Sequence, residues 1–339
     1  MPSAEVSLKA ASADQLLLQA YEHAYEQGWT DGLPIIPATR ERVDRFIEAS
    51  GRDPGEMIGV LPPRKGEATV EVIAINAVMA GCRPEYINVV IAAIDALCDP
   101  SFSLELMQVT TNPMCPLIIV NGPVRRSLDI NSGIGCLGPG WRANSTIGRA
   151  VRLVLNNVGG ALPGVYSKST FSSPLRYSYI CGENEEDNPW TPLHVDRGFS
   201  KDDSTVTVFR AANYQNISGG EGADADEILR HIASNMPPMF GAGDGAMLML
   251  GVNHATALHR AGLSKRDIQE RLWKFARLPA EYFAKSFIES EITAGRSDGK
   301  TVWRCNDPSE MHVLVCGGPG PQDVYIGAGM PQSRLVRNA

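Results

Sequence analysis

The chain has 339 residues, 43% of them hydrophobic and 20% charged, with a formal net charge of −7. These are the proportions of a folded globular protein. The acidic balance, with no Lys or Arg run against it, excludes a nucleic-acid partner, and no stretch approaches the ~18 apolar residues of a membrane span. The start, Met1-Pro-Ser-Ala-Glu-Val6, lacks the basic-then-apolar form of a signal peptide, so a cytoplasmic setting is expected.

Ser12 to Gln27 has helical spacing (Leu16, Leu17, Ala20, Tyr21, Ala24) and closes at Gly28. A turn from Trp29 to Pro34 follows, and Thr39 caps a helix from Arg40 to Ser50. Pro54 to Met57 and Leu61 to Arg64 read as loops. Thr69 to Met79 alternates and then runs apolar. Its length and its alanines favour helix over strand. A further helix starts at Pro84 and reaches about Leu97.

The segment from Asn112 to Gly160 carries the strongest signal. Pro116 to Val120 reads as a buried strand, Asn121-Gly-Pro123 as its turn, and Gly133 to Gly140 as a loop of small residues, with a helix from about Ile147 to Asn157. Backbone N–H groups of such a loop, together with a helix N-terminus, attract anions. The expected substrate is therefore a small anion, held by Asn121, Arg142, Asn144, Ser145, Thr146 and Arg149. The acidic residue that a dinucleotide fold needs after its second strand is missing.

Strands are expected at Tyr177 to Cys181, Thr205 to Phe209, Ala246 to Val252 and His312 to Cys316, and helices at Ala225 to Ser234 and Lys265 to Arg277. The alternation predicts an α/β fold, a layered sheet with flanking helices. Leu117 to Asn121 and Leu248 to Asn253 both end Val-Asn, which points to two related α/β halves with a cleft between them. The expected division is an N-terminal helical segment (1–50), an α/β domain bearing the glycine-rich loop (51–210) and a second α/β domain (211–339).

Seven cysteines without a C-x-x-C pair form neither a disulfide framework nor a zinc ribbon. Cys82, before Arg83-Pro84 at a helix start, is the expected reactive thiol; Cys136 and Cys316 also stand where substrate could reach them. After the strand ending at Cys181, the loop to Arg197 gathers Glu183, Glu185, Glu186, Trp190 and His194. Glu183, Glu185 and His194 are the expected acid/base groups, with Trp190 lining the substrate. The same loop would suit a divalent metal, although it lacks the spacing of a helical metal motif. His254, directly after a strand, is a further substrate-site candidate. Loops after neighbouring parallel strands open on one sheet edge, so the acidic and glycine loops are expected to share one site.

The runs Trp29 to Pro37, Gly66 to Glu71, Asn76 to Cys82, Pro84 to Tyr86, Val120 to Pro123, Arg142 to Arg149, Glu183 to Glu186 and Pro192 to His194 together resemble a largely uncharacterised bacterial and fungal family. Its members often stand beside, or are fused to, a small protein with a U-G-S-C or C-G-S-C motif. That small protein itself resembles part of the selenoprotein B component of glycine and sarcosine reductases. This chain has no Gly-Ser-Cys tripeptide, so the resemblance implies that such a motif would come from a separate partner.

Three functions remain open at this point. One is an enzyme subunit that cleaves or forms a carbon–heteroatom bond by thiol chemistry. The others are a non-catalytic scaffold for a redox-active partner, and a metal-dependent hydratase or lyase. No cofactor is required by the sequence, and an oligomer is expected.

Overall fold

A computed structural model describes residues 6–236 and 245–337. Residues 1–5, which carry most of the argument about a signal peptide, lie outside the described residues. From the amino end, α1 (Ala13–Glu26), α2 (Arg40–Ser50), the hairpin β1 (Met57–Leu61) and β2 (Gly66–Thr69), α3 (Val70–Ala80), α4 (Ile87–Leu97) and α5 (Leu104–Val109) lead to β3 (Cys115–Asn121). Then come α6 (Val124–Ser127), α7 (Arg142–Asn157), β4 (Ile180–Gly182), α8 (Leu193–Asp196) and β5 (Thr205–Ala211). The remainder is β6 (Gln215–Ser218), α9 (Ala225–Ser234), β7 (Ala246–Leu250), α10 (Val252–Arg260), α11 (Lys265–Phe275), β8 (Arg277–Pro279), α12 (Lys285–Thr293), β9 (Thr301–Trp303), β10 (Met311–Val315), β11 (Gln322–Ile326) and β12 (Ala328–Leu335).

The fold is α/β, built on two four-stranded mixed sheets with the orders β12-β5-β3-β4 and β10-β7-β11-β6. In the first, β3 runs parallel to β4 and antiparallel to β5; in the second, β7 runs parallel to β10 and antiparallel to β11. Beyond β5 the chain crosses to form the edge strand β6 of the second sheet, and beyond β11 it crosses back as edge strand β12 of the first. The two halves thus have the same strand plan.

Strand periodicity sorts the side chains into layers. Ile118, Val120, Ile180, Val206 and Val208 face a core shared with α2, α3, α4 and α7. Leu117, Ile119, Phe209, Met247, Met249, Leu314 and Ile326 fill the space between the two sheets. Leu248, Leu250, Val313, Val315 and Tyr325 face α9, α10 and α11. Both faces of each central strand are buried, which is why these strands read as continuous apolar runs. Each large side chain so buried contributes ~1.5–3 kcal/mol.

Thr69 caps α3 by accepting from Val72 N at 3.3 Å, and Gly81, at φ +87°, ends it in the left-handed conformation. α7 starts at Arg142, a turn and a half before the Ile147 expected from hydrophobic spacing. Arg142, Asn144, Ser145 and Thr146 therefore lie within the helix and not in the loop before it. Among the described residues, no single helix is long and apolar enough to cross a membrane.

Candidate functional site

β3 and β4 are parallel neighbours, so the segments that follow them emerge side by side. Asn121, the last residue of β3, donates from Nδ2 to Glu183 at 2.6 Å and to Glu185 at 3.1 Å. Glu185 also accepts from Gly122 N at 2.7 Å and from Arg125 Nε at 3.1 Å. Arg125, buried, spreads its remaining nitrogens over Glu186 and Ser132. Burial raises the Glu186 carboxyl, but Arg125 and Arg126 outweigh it and hold the group at about 2. A pocket of about 330 Å³ opens here, lined among others by Arg125, Arg126, Asp129, Ser132, Trp141 and Glu186. Acidic loop and glycine loop do converge, and the residue that joins them is Arg125.

Within this cluster the expected acid/base pair is closed. Glu183 is fully buried and accepts from Asn121, from Asn188 Nδ2 at 2.9 Å and from Leu193 N at 2.7 Å. Burial raises its pKa, against the charge of Lys265 and these hydrogen bonds. His194 is also fully buried; Nε2 meets Lys201 O at 3.3 Å and Nδ1 has no partner. Glu183 braces the loop from within. Trp190 donates from Nε1 to Leu263 O at 2.9 Å and packs edge-on against His259, fastening the loop to the second half.

The expected anion grip is also used internally. Arg142 donates to Gly81 O at 3.1 and 2.9 Å and to Cys82 O at 3.4 Å, in the turn just past α3. Arg149 forms a two-pronged pair with Asp31 at 2.9 and 2.8 Å and reaches Leu33 O and Pro34 O. Asn144, buried, accepts from Asn131 N at 2.8 Å and donates to the carbonyls of Asn131 and Cys136, each at 3.0 Å, so it shapes the glycine loop. Thr146 bonds back to Arg142 O at 2.8 Å, and Ser145 is exposed. The prolonged helix turns these polar side chains toward its own neighbours.

Cys82 does not present a reactive thiolate. Its thiol donates to Thr146 O at 3.3 Å, and burial pushes its pKa to about 12, outweighing Arg142 and Arg149. A thiol cluster stands elsewhere. Cys136 of the glycine loop, Cys181 of β4 and Cys316, just past β10, meet where the two sheets abut; the Cys181 and Cys316 sulfurs are 3.9 Å apart. A hydrogen bond from Cys181 lowers the Cys136 pKa despite burial, helped by the backbone amides of Gly317, Cys136 and Leu137, while Cys181 is raised. Cys136 is thus the thiol of the three whose ionised form its surroundings favour, chiefly through Cys181. Gly317 N to Ser132 O and Asn184 N to Val315 O, both 2.8 Å, stitch the halves together at this point.

His254 lies in the first turn of α10, at the end of β7. Its Nδ1 is 2.7 Å from Asp323 Oδ2, whose other oxygen accepts from Gly251 N at 3.0 Å. Asp323 raises the imidazole pKa against burial. The opposite nitrogen, Nε2, is buried with no partner among the described residues under the Gly219–Gly222 loop, so close that a Cβ at Gly220 would stand 3.3 Å from it. Sequence reasoning singled out His254 but missed Asp323, which falls in a stretch past Cys316 to which it assigned no element. It also missed Arg125, although Pro123-Val-Arg-Arg126 directly follows a strand turn.

Among the described residues, no three His, Cys, Asp or Glu side chains are arranged to hold a metal ion. The acidic loop's carboxylates are turned to Asn and Arg donors. No protein-family model and no curated protein sequence matches the chain.

Proposed function

We propose that the chain is a cytoplasmic enzyme subunit that acts on a carbon–heteroatom bond of a small anionic metabolite by thiol chemistry, with Cys136 as nucleophile in place of Cys82. The observation that carries this reading is the contact of three thiols at the seam of the two halves, with the Cys181 and Cys316 sulfurs 3.9 Å apart and Cys181 hydrogen-bonded to Cys136. Stabilised thiolates are the reactive form of cysteine. In the reductive direction, Cys136 thiolate displaces the heteroatom from carbon, and the leaving group takes a proton. Cys181 then attacks the Cys136 sulfur; the S–C bond breaks, carbon takes the proton that the Cys181 thiol gives up, and a Cys136–Cys181 disulfide carries away the two electrons' worth of oxidation. A small thiol protein of the U-G-S-C or C-G-S-C type returns that disulfide to two thiols.

The test is turnover of a metabolite extract by the reduced chain, with and without such a thiol protein, followed by mass spectrometry. A metabolite consumed by the wild type and spared by Cys136→Ser supports the proposal, together with a Cys136–Cys181 disulfide in the spent protein. Turnover that survives Cys136→Ser sinks it. Absence of turnover in every combination favours a scaffold role for a redox partner.

One observation favours a second reading, a hydratase or lyase. His254, oriented by Asp323 with a free second nitrogen, has the form of a general base. Turnover lost in His254→Gln but kept in Cys136→Ser would select it.

A further inference from the structure

On the amino edge of the β3–β4 pair, opposite the thiol seam, two arginines lie together without a counter-charge. Arg152 projects from α7 and is 7% exposed. Its Nε donates to Arg176 O at 3.1 Å, and its terminal nitrogens meet no acceptor among the described residues. Arg176, just ahead of β4, donates from Nε to Met114 O and from Nη1 to Ser167 Oγ, each at 3.0 Å. Neither guanidinium pairs with a carboxylate among the described residues, in contrast to Arg125, Arg149 and Arg334.

A buried cation without a partner costs several kcal/mol in lost hydration, and two that repel each other cost more. Burial, then the neighbouring Arg176, brings Arg152 down to about 10, and burial lowers Arg176 as well. Ser167, whose hydroxyl accepts from Arg176, borders the pair and opens a hydroxyl-rich loop (Ser169, Thr170, Ser172 and Ser173) that Thr170 N pins to Thr111 O at 3.0 Å. Paired guanidinium groups with unused N–H donors and adjacent hydroxyls match the oxygens of a carboxylate or phosphate, which Arg can grip two at a time.

We infer that Arg152 and Arg176 form a receptor for a small oxyanion of the phosphate or carboxylate class, separate from the thiol seam and independent of the reaction proposed there. Because it sits at the opposite strand ends, its ligand would act on the chain as an effector or as a structural anion and not as the reacting group.

The experiment is thermal unfolding and calorimetric titration of the full chain with inorganic phosphate in one arm and succinate in the other, at constant ionic strength set by sodium chloride. At least one of the two should raise the wild-type melting temperature and bind with measurable heat; the arm that does so identifies the ligand class. Arg152→Met should lose that response while melting, ligand-free, at or above the wild-type temperature, because an unpaired buried charge has gone. A merely structural Arg152 would instead leave the ligand-free variant less stable. Should Arg152→Met fail to fold, Arg176→Gln serves, with affinity expected to weaken about tenfold or more. No response of the wild type to either anion, or an equal response in the variant, overturns the inference.

Discussion

Asp323 Oδ2 lies 2.7 Å from Nδ1 of His254, while among the described residues no hydrogen-bond partner meets the imidazole's other nitrogen. The carboxylate favours the protonated ring and raises its pKa. A raised folded-state pKa gives stability that is fully present below the unfolded value of ~6.5 and is lost as pH rises through the folded value. Urea unfolding followed from about pH 5.5 to 8.5 should therefore show wild-type stability declining relative to Asp323→Asn. Parallel profiles for the two proteins would remove the proposed protonation coupling.

Arg149 and Asp31 are almost wholly withdrawn from water, with side-chain exposures of 14% and 4%. Truncation of Arg149 to Ala should cost about 3 kcal/mol, since it leaves a buried carboxylate uncompensated. The double variant Asp31→Asn, Arg149→Met should regain part of that loss. If the arginine served a bound ligand instead, its removal would alter anion affinity and leave the unfolding midpoint in place.

Alkylation of the native protein should mark Cys136 ahead of Cys82. The first has its thiolate favoured by neighbouring donors, whereas burial holds the second at about 12. Cys98, raised to about 11 by burial, should also stay unmarked on the same timescale. Peptide mass spectrometry after a short exposure to iodoacetamide gives the order, and labelling of Cys82 first would reverse the assignment of the nucleophile.

Gly148 lies inside α7, where Ala would ordinarily stabilise a helix by ~1 kcal/mol. Here an added Cβ would overlap Ser178 Oγ and stand 3.0 Å from Ser178 Cα, and Ser178 Oγ is already bonded to Asn144 O at 2.6 Å. Gly148→Ala should accordingly destabilise by ~1–3 kcal/mol, the usual effect of overpacking. A rise in melting temperature would mean that the β4 approach to α7 is looser than described.

Elements with strong local signatures were legible in the sequence. Ser12, Thr39 and Ser264 cap the helices expected of them, and the apolar runs at β3, β7 and β10 are strands. The edge strands β6 and β12 were not, because Gln215–Ser218 and Ala328–Leu335 carry polar residues and become strands by pairing with partners far away in sequence. In the site, sequence brought Glu183, Glu185 and Asn121 to one edge through parallel strand logic. It did not foresee the protein partners of Arg142 and Arg149, since a basic residue near a glycine loop looks the same whether it serves a ligand, a turn or a distant aspartate. Only the fold brings Asp31 to Arg149 across 118 positions. Cys82 and Cys136 are equally withdrawn from water, at 6% exposure each, and what separates them is the Cys181 thiol beside Cys136, a contact invisible in sequence.

The crossing of β5 into β6 and of β11 into β12 has a consequence for synthesis. β5 is buried along its whole length, and the strand that covers its outer edge is made only after residue 327. While the chain emerges, the first sheet would stand with an apolar strand edge bare, the kind of edge on which chains associate wrongly. A nick between residues 211 and 215 would likewise leave the amino-terminal piece without its edge strand β12, which the carboxy-terminal piece carries beside a complete second sheet. Such pieces should assemble together or precipitate apart.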